Sequence, residues 1–334
     1  MTGQPFAPWL DTYYCPFQRF TSPHVIVAHS MQYGRSLIFE LARALRIHQW
    51  PKNLLVFLPA LTSQKFDDPH LFAASLEAFL AFCAAASAVY LINDLADREH
   101  DRQHPAKRLR PFAAGTLSTR WCYVLIPLLV GATIAVGLAL GWSFLIVIML
   151  YALLAVAYSM ALKRILMLDV ILIAVFYGLR VIAGYEATHL EYSIWLISFT
   201  QFLFISLAFM KRDIGLARLK KTREDPAGRG YVRQDRSVIG AFGISSGLIS
   251  VLVLSFYIDS HVVKELYRHP WVLWLACPIV GYGVGRIWIL ANRGAADDDP
   301  VTFVLRDPVS YVLGGCLALV ALLAKFGLPG LGGG

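Results

Sequence analysis

The sequence predicts an all-α integral membrane protein of about nine transmembrane helices, on three observations. Hydrophobic residues make up 57% of the 334 and charged residues only 16%, whereas a soluble domain carries about 25% charged residues. Apolar stretches near the length that crosses a bilayer recur along the chain. The basic residues gather between those stretches, in alternate loops. Lipid offers no partner to unpaired backbone groups, so such spans fold as helices.

Residues 1–36 hold Pro5, Pro8, Pro16 and Pro23 among aromatics and read as an irregular N-terminal extension. No short apolar core with a cleavage site follows Arg19, so no signal peptide is expected. Residues 37–334 read as a single polytopic domain, with spans near 38–61, 71–93, 119–140, 143–161, 165–185, 193–212, 238–258, 271–291 and 308–327. The first contains Arg43, Arg46, His48 and Lys52, so its early part belongs to the interface and only the part after Asn53 lies deep. Gly141-Trp142 between the third and fourth suits a tight turn.

Cations crowd the start of the chain and the loops after the second, fourth, sixth and eighth spans; the alternate loops are poor in them. The positive-inside rule then puts the N-terminus in the cytoplasm and every polar motif on the cytoplasmic face of the cell's inner membrane. The net charge of +8 suits phosphate-bearing or anionic lipid partners. Nucleic acid is not expected, because the cations lie between spans rather than on one soluble module. The five cysteines form no C-x-x-C pair and read as small buried hydrophobes. The nine histidines show no zinc spacing.

The most informative segment runs from Asn93 to Asp101. Asp94, Asp97 and Asp101 share one helix face at spacing i, i+3, i+7. Oxygen donors in that pattern suit Mg²⁺ bridging to phosphate oxygens, and carboxylates at a membrane edge are costly without a partner. The plainer reading is a solvated helix end paired with Arg98, Arg102 and Arg110. Lys107, Arg108 and Arg110 follow within one loop as phosphate donors. Tyr158, Lys163 and Arg164 close the fourth span, Asp169 opens the fifth, and Arg180 lies deep within it. An intramembrane arginine is a functional candidate by default. The sixth span is expected to end at Lys211-Arg212-Asp213, and Gln49, Lys52 and Asn53 add a polar cluster near the first. Asp297-Asp298-Asp299 sits among Gly, Ala and Pro and reads as a solvated turn.

The pattern N-D-x-x-D-x-x-x-D, followed by Arg108-Leu109-Arg110-Pro111, resembles the first aspartate-rich motif of the UbiA superfamily of intramembrane prenyltransferases. The resemblance implies nine helices around a central cavity with the motifs at the cytoplasmic end. The second acidic motif of that superfamily is replaced here by Lys211-Arg212-Asp213, which retains one acid behind two cations. Gln49 to Val56, Tyr158-Ser159, Leu168-Asp169-Val170 and Leu305-Arg306-Asp307 are similar to the branch that makes decaprenyl-phosphate-linked phosphoribose. That branch moves 5-phosphoribosyl from phosphoribosyl pyrophosphate to a polyprenyl phosphate, with Mg²⁺, in cell-wall construction. The resemblance implies Asp94, Asp97 and Asp101 as metal ligands, Asp169 as a further catalytic acid, and the named cations with Asn93 as phosphate contacts. Two alternatives stay open: prenyl transfer to an aromatic acceptor, and a non-catalytic polyprenyl-lipid binding or transport protein. Assembly into a homo-oligomer also stays open.

Overall fold

The chain enters the bilayer through a broken element. In this computed structural model, which describes residues 36–65, 67–103, 107–218, 230–296 and 299–327, helix α1 (Leu37–Ala44) gives way to a 3-10 segment, Ile47–Phe57, and then to short α2 (Leu58–Thr62). The cause is legible in the side chains. Pro51 lies inside the segment and removes a helical donor. Arg46 at its start sits in the left-handed region at φ 53°, which costs a non-glycine residue energy. Its guanidinium reaches Asp94 at 2.7 Å and lies 4.4 Å from the Tyr90 ring centroid, contacts that offset the cost.

Helix α3 (Pro69–Ala96) starts on Asp68, whose carboxylate accepts from the His70 N–H at 2.9 Å, with Pro69 preset at the first position. Its 28 residues rise about 42 Å, more than the roughly 30 Å hydrocarbon core. The turns holding Asn93 and Asp94 therefore stand clear at one end. Short α4 (Arg98–Gln103) and α5 (Pro111–Ala114) lead into α6 (Arg120–Leu140). Gly141, at φ 116°, alone turns the chain into α7 (Trp142–Met160). Then follow α8 (Leu168–Thr188), α9 (Ile194–Arg218), α10 (Arg236–Asp259), α11 (His261–Leu266), α12 (Ala276–Asn292), α13 (Pro300–Val304) and α14 (Pro308–Phe326). There is no strand among the described residues.

Among the described residues, eight helical segments are long and apolar enough to cross a membrane. With the broken first element they form the expected all-α, multi-pass bundle. Several apolar clusters hold it, and two of them join the main helices. Phe82, Phe144, Ile148, Tyr151 and Ala183 join α3, α7 and α8. Phe209, Met210, Ile239 and Trp288 join α9, α10 and α12. The outside shows Leu128, Ile146, Leu153 and Leu248 to the surroundings, as lipid-facing helices do. Gly184 lets the first element touch α8: a Cβ there would lie 2.2 Å from the Val56 carbonyl oxygen.

Two expectations are corrected. Lys211-Arg212-Asp213 does not end its span, because α9 runs on to Arg218; Gly215, which costs a helix interior about 1 kcal/mol, does not stop it. Asp299 is not a solvated turn. It caps α13 through the Val301 N–H and bridges to Lys52. The N-terminal extension to residue 35, His104-Pro105-Ala106, Lys220, Lys221, Arg223, Arg229, Asp297 and Asp298 lie outside the described residues.

Candidate active site

A cavity of about 300 Å³ opens at the end of the bundle where α3, α7 and α9 finish. Each helix sends its polar end into it. From α3 come Tyr90, Asn93 and Asp97; from the first element, Arg46 and Lys52; from the loop before α5, Lys107 and Arg110. Helix α7 and the turn after it give Tyr151, Tyr158, Ser159 and Lys163; α8 gives Phe176, Tyr177 and Arg180; α9 gives Lys211. The antiparallel run of the helices puts these distant segments at one end.

The acidic run is divided. Helix α3 ends at Ala96 and α4 starts at Arg98, so Asp97 stands at the joint. Its carboxylate lines the cavity and has no hydrogen bond or ion pair among the described residues. Asp94 and Asp101 are buried, and Arg110 bridges them at 3.1 and 2.6 Å. Arg46 adds a second bond to Asp94 and Lys107 approaches Asp101 at 3.8 Å. Of the cations in the plainer reading, Arg110 is the partner; Arg102 pairs with Glu99 instead. Among the described residues, no three His, Cys, Asp or Glu side chains converge as a ready cage. The donor set still fits a hard cation. Mg²⁺ commonly takes one or two protein oxygens and fills its shell with water and substrate phosphate, and Asp97 with Asn93 offers that much to the cavity.

Arg180 is 6% exposed and has no carboxylate partner among the described residues. Its Nε donates to Asn53 Oδ1 at 2.7 Å, Nη1 to the Phe176 carbonyl at 2.5 Å and Nη2 to the Tyr151 hydroxyl at 3.1 Å. Its guanidinium lies 4.8 Å from the centroid of the Tyr151 ring and 5.7 Å from that of Tyr177. Neutral acceptors and aromatic faces hold it, so its charge stays available to an anion entering the cavity. Asn53 thus acts through Arg180 and does not line the space itself.

Asp169 and Arg212 form a separate buried pair at 2.5 Å behind the wall. Tyr231 donates to Asp169 at 2.6 Å and accepts from the Met167 N–H at 3.0 Å. Burial, and then the Asp169 carboxylate, push the Tyr231 hydroxyl well above the usual phenol range. Arg212 reaches the cavity only through Tyr158, at 3.5 Å. Gln49 is not among the lining residues, and Arg108 and Arg164 are exposed outside it.

Sequence reasoning passed over Arg46 and Asp299. Lys52 meets Asp299 at 2.5 Å, which ties the first element to the segment before α13. Burial raises the Asp299 carboxyl, but Lys52 and Lys211 outweigh it and hold the group below the usual carboxylate range. The signal for Arg46 was a charge at an apolar segment's edge. Nothing local marked Asp299, because its partner lies far away in sequence.

The comparisons with known proteins agree with this geometry. The model of the UbiA prenyltransferase family matches residues 54–306. The chain is 37% identical to the Sinorhizobium fredii protein y4nM over 84% of its length, but spans only 55% of that protein. It is 34% identical to the nodulation protein NoeC of Azorhizobium caulinodans, over 84% of this chain and 92% of that one. It is 33% identical to the decaprenyl-phosphate phosphoribosyltransferase of Corynebacterium glutamicum, over 88% of this chain and 89% of that one. Among solved structures, a UbiA homolog from Archaeoglobus fulgidus bound to GPP and Mg²⁺ superposes with a TM-score of 0.59, at 17% identity over 85% of this chain and 98% of that one. A polar cavity at one end of a multi-pass helical bundle, reached from the aspartate-bearing end of α3, is thus joined to sequence and fold evidence: the chain belongs to the UbiA prenyltransferase family.

Proposed function

We propose that the protein moves a 5-phosphoribosyl group from phosphoribosyl pyrophosphate to a polyprenyl phosphate, at the cytoplasmic face of the inner membrane, releasing pyrophosphate. The observation that carries this reading is the charge of the cavity. Arg46, Lys52, Lys107, Arg110, Lys163, Arg180 and Lys211 line it, against Asp97 as the one lining acid among the described residues. A prenyl diphosphate with a neutral acceptor brings one diphosphate. Phosphoribosyl transfer brings a pyrophosphate, a 5-phosphate and a lipid phosphate, and such a load calls for fixed cations. The similarity to the Corynebacterium phosphoribosyltransferase supports the same reading.

In the reaction, the bond from ribose C1 to the pyrophosphate oxygen breaks and the electron pair leaves with pyrophosphate. An oxygen of the lipid phosphate forms the new bond to C1. That oxygen is already anionic, so no general base is needed and the Asp97 carboxylate is left to hold the metal. Arg110, Lys107 and Lys163 orient the leaving group; Arg180 and Lys52 hold the remaining phosphates. Catalysis is then positioning and electrostatic stabilisation. Bound Mg²⁺ would neutralise the leaving pyrophosphate, held by Asp97 and Asn93, with Asp94 and Asp101 joining only where Arg110 releases them. A second reading, prenyl transfer from a diphosphate, draws on Tyr151, Tyr158, Phe176 and Tyr177, which give the cavity an aromatic wall.

Calorimetric titration of the detergent-solubilised protein with phosphoribosyl pyrophosphate and Mg²⁺ tests the donor site. Saturable binding is expected, weakened roughly tenfold or more by Lys163→Gln, as loss of a charged hydrogen bond implies. No saturable heat, or unchanged binding in the variant, would contradict the assignment.

A further inference from the structure

A second cavity lies on the outer flank of the bundle, between α10 and α12, with a volume of about 1210 Å³. Its floor is apolar: Ile244, Leu248, Val284 and Ile289 line it, and Trp288 forms a wall with its indole N–H donated to Ser206 at 3.0 Å. The space beside Gly285 is open, since a Cβ there would meet nothing within 4 Å. Its polar end lies at the start of α10 and the end of α12, the same end of the bundle as the central cavity. There Arg236 is fully engaged. It bridges buried Asp213 at 2.9 and 3.3 Å and donates to Asn292 at 2.9 Å, locking α9, α10 and α12 together. Arg233 and Arg293 are different. Both are exposed, both line the groove, and neither guanidinium has a hydrogen bond or ion pair among the described residues.

We propose that this groove binds one anionic phospholipid of the surrounding leaflet, its phosphate between Arg233 and Arg293 and an acyl chain along Ile244, Leu248 and Val284. Charge complementarity identifies the occupant. Two uncommitted guanidiniums stand at membrane-surface level above an apolar trough that opens sideways. A neutral lipid would leave both cations unmatched, and a soluble phosphate would leave the trough unfilled. The site is separate from the catalytic cavity, so it does not depend on the identity of the reaction. By filling the gap between two helices that meet only partly, the lipid would hold the end of α12 against α9 and α10.

Native mass spectrometry of the full chain in detergent, with dioleoyl phosphatidic acid or dioleoyl phosphatidylcholine added, tests this. Phosphatidic acid is expected to form a retained one-to-one adduct and phosphatidylcholine none that survives the same activation. Basic residues at a membrane surface each contribute about fivefold in affinity, so Arg233→Gln with Arg293→Gln should weaken the adduct about thirtyfold. Gly285→Phe should abolish it by filling the trough while the protein still unfolds at the parent temperature. Arg268→Gln, at the other end of the bundle, should change nothing. Equal adducts of both lipids, or a phosphatidic acid adduct indifferent to all three groove substitutions, would overturn the proposal. So would a chain that self-associates until Gly285→Phe separates it, since the occupant would then be a second copy.

Discussion

An arginine sealed in an apolar bundle must place its charge somewhere. Arg180 does so on Asn53, the Phe176 carbonyl and two tyrosine faces rather than on a carboxylate. This leaves it ready for a substrate phosphate. Arg180→Gln should therefore lower turnover at least tenfold, with binding of the donor weakened in the same assay; an unchanged rate would remove Arg180 from the site. Asp97 is the converse case, an acid without a partner. Asp97→Asn should abolish Mg²⁺-dependent activity, yet shift stability by no more than about 0.5 kcal/mol in thermal unfolding, because no native contact is lost. Asp94→Asn and Asp101→Asn should also remove activity, but through Arg110, which would lose the carboxylates that position it. The sequence showed all three acids at the right spacing. It could not show that a single arginine, Arg110, 16 residues after Asp94 and 9 after Asp101, would claim both of them.

At the scale of elements, the broken first segment decides how the cavity is closed. The charges Arg43, Arg46, His48 and Lys52 marked its early part as interfacial, and the tight turn at Gly141 was legible as well, but the break around Pro51 was not read from the sequence. The Asp299 partnership was not, since a run of acids in a loop carries no mark of a lysine 247 positions earlier. The Lys52–Asp299 bridge gives a pH test with a defined sign. The Asp299 carboxyl is held below its unfolded value of about 3.9 by Lys52 and Lys211, against the opposing effect of burial. Its contribution to stability is thus fully present above that value and is lost as pH falls through the lower folded value. The stability gap between the parent and Asp299→Asn should be constant from pH 6 to 8, by roughly the same melting difference, and should shrink only below about pH 4. A gap that changes near neutrality would point to a different titrating group. The buried Asp169–Arg212 pair is structural by comparison: Asp169→Asn strands a 5% exposed arginine and should cost about 3–5 kcal/mol, read as a large fall in melting temperature.

For the whole molecule, the family and the all-α multi-pass fold followed from composition, span length and the aspartate run, because lipid restricts the architecture so severely. The polar ends of α3, α7, α9 and α12 meet at one end of the bundle, and the excess of cations in the corresponding loops argues that this end is cytoplasmic. Exposed Arg164 marks that end and exposed Lys264 the other. In a Cys15→Ser, Cys316→Ser background, Arg164→Cys should react with an impermeant maleimide only in inside-out vesicles, and Lys264→Cys only in right-side-out ones; the reverse pattern would invert the topology.

The most direct test of the account is transfer itself. Purified protein is given radiolabelled phosphoribosyl pyrophosphate with a polyprenyl phosphate, and in parallel geranyl diphosphate with 4-hydroxybenzoate, each with Mg²⁺ and with chelator. Lipid-linked phosphoribose forming only with Mg²⁺, with no prenylated aromatic, is the predicted result. Prenylated product without lipid-linked phosphoribose would contradict it.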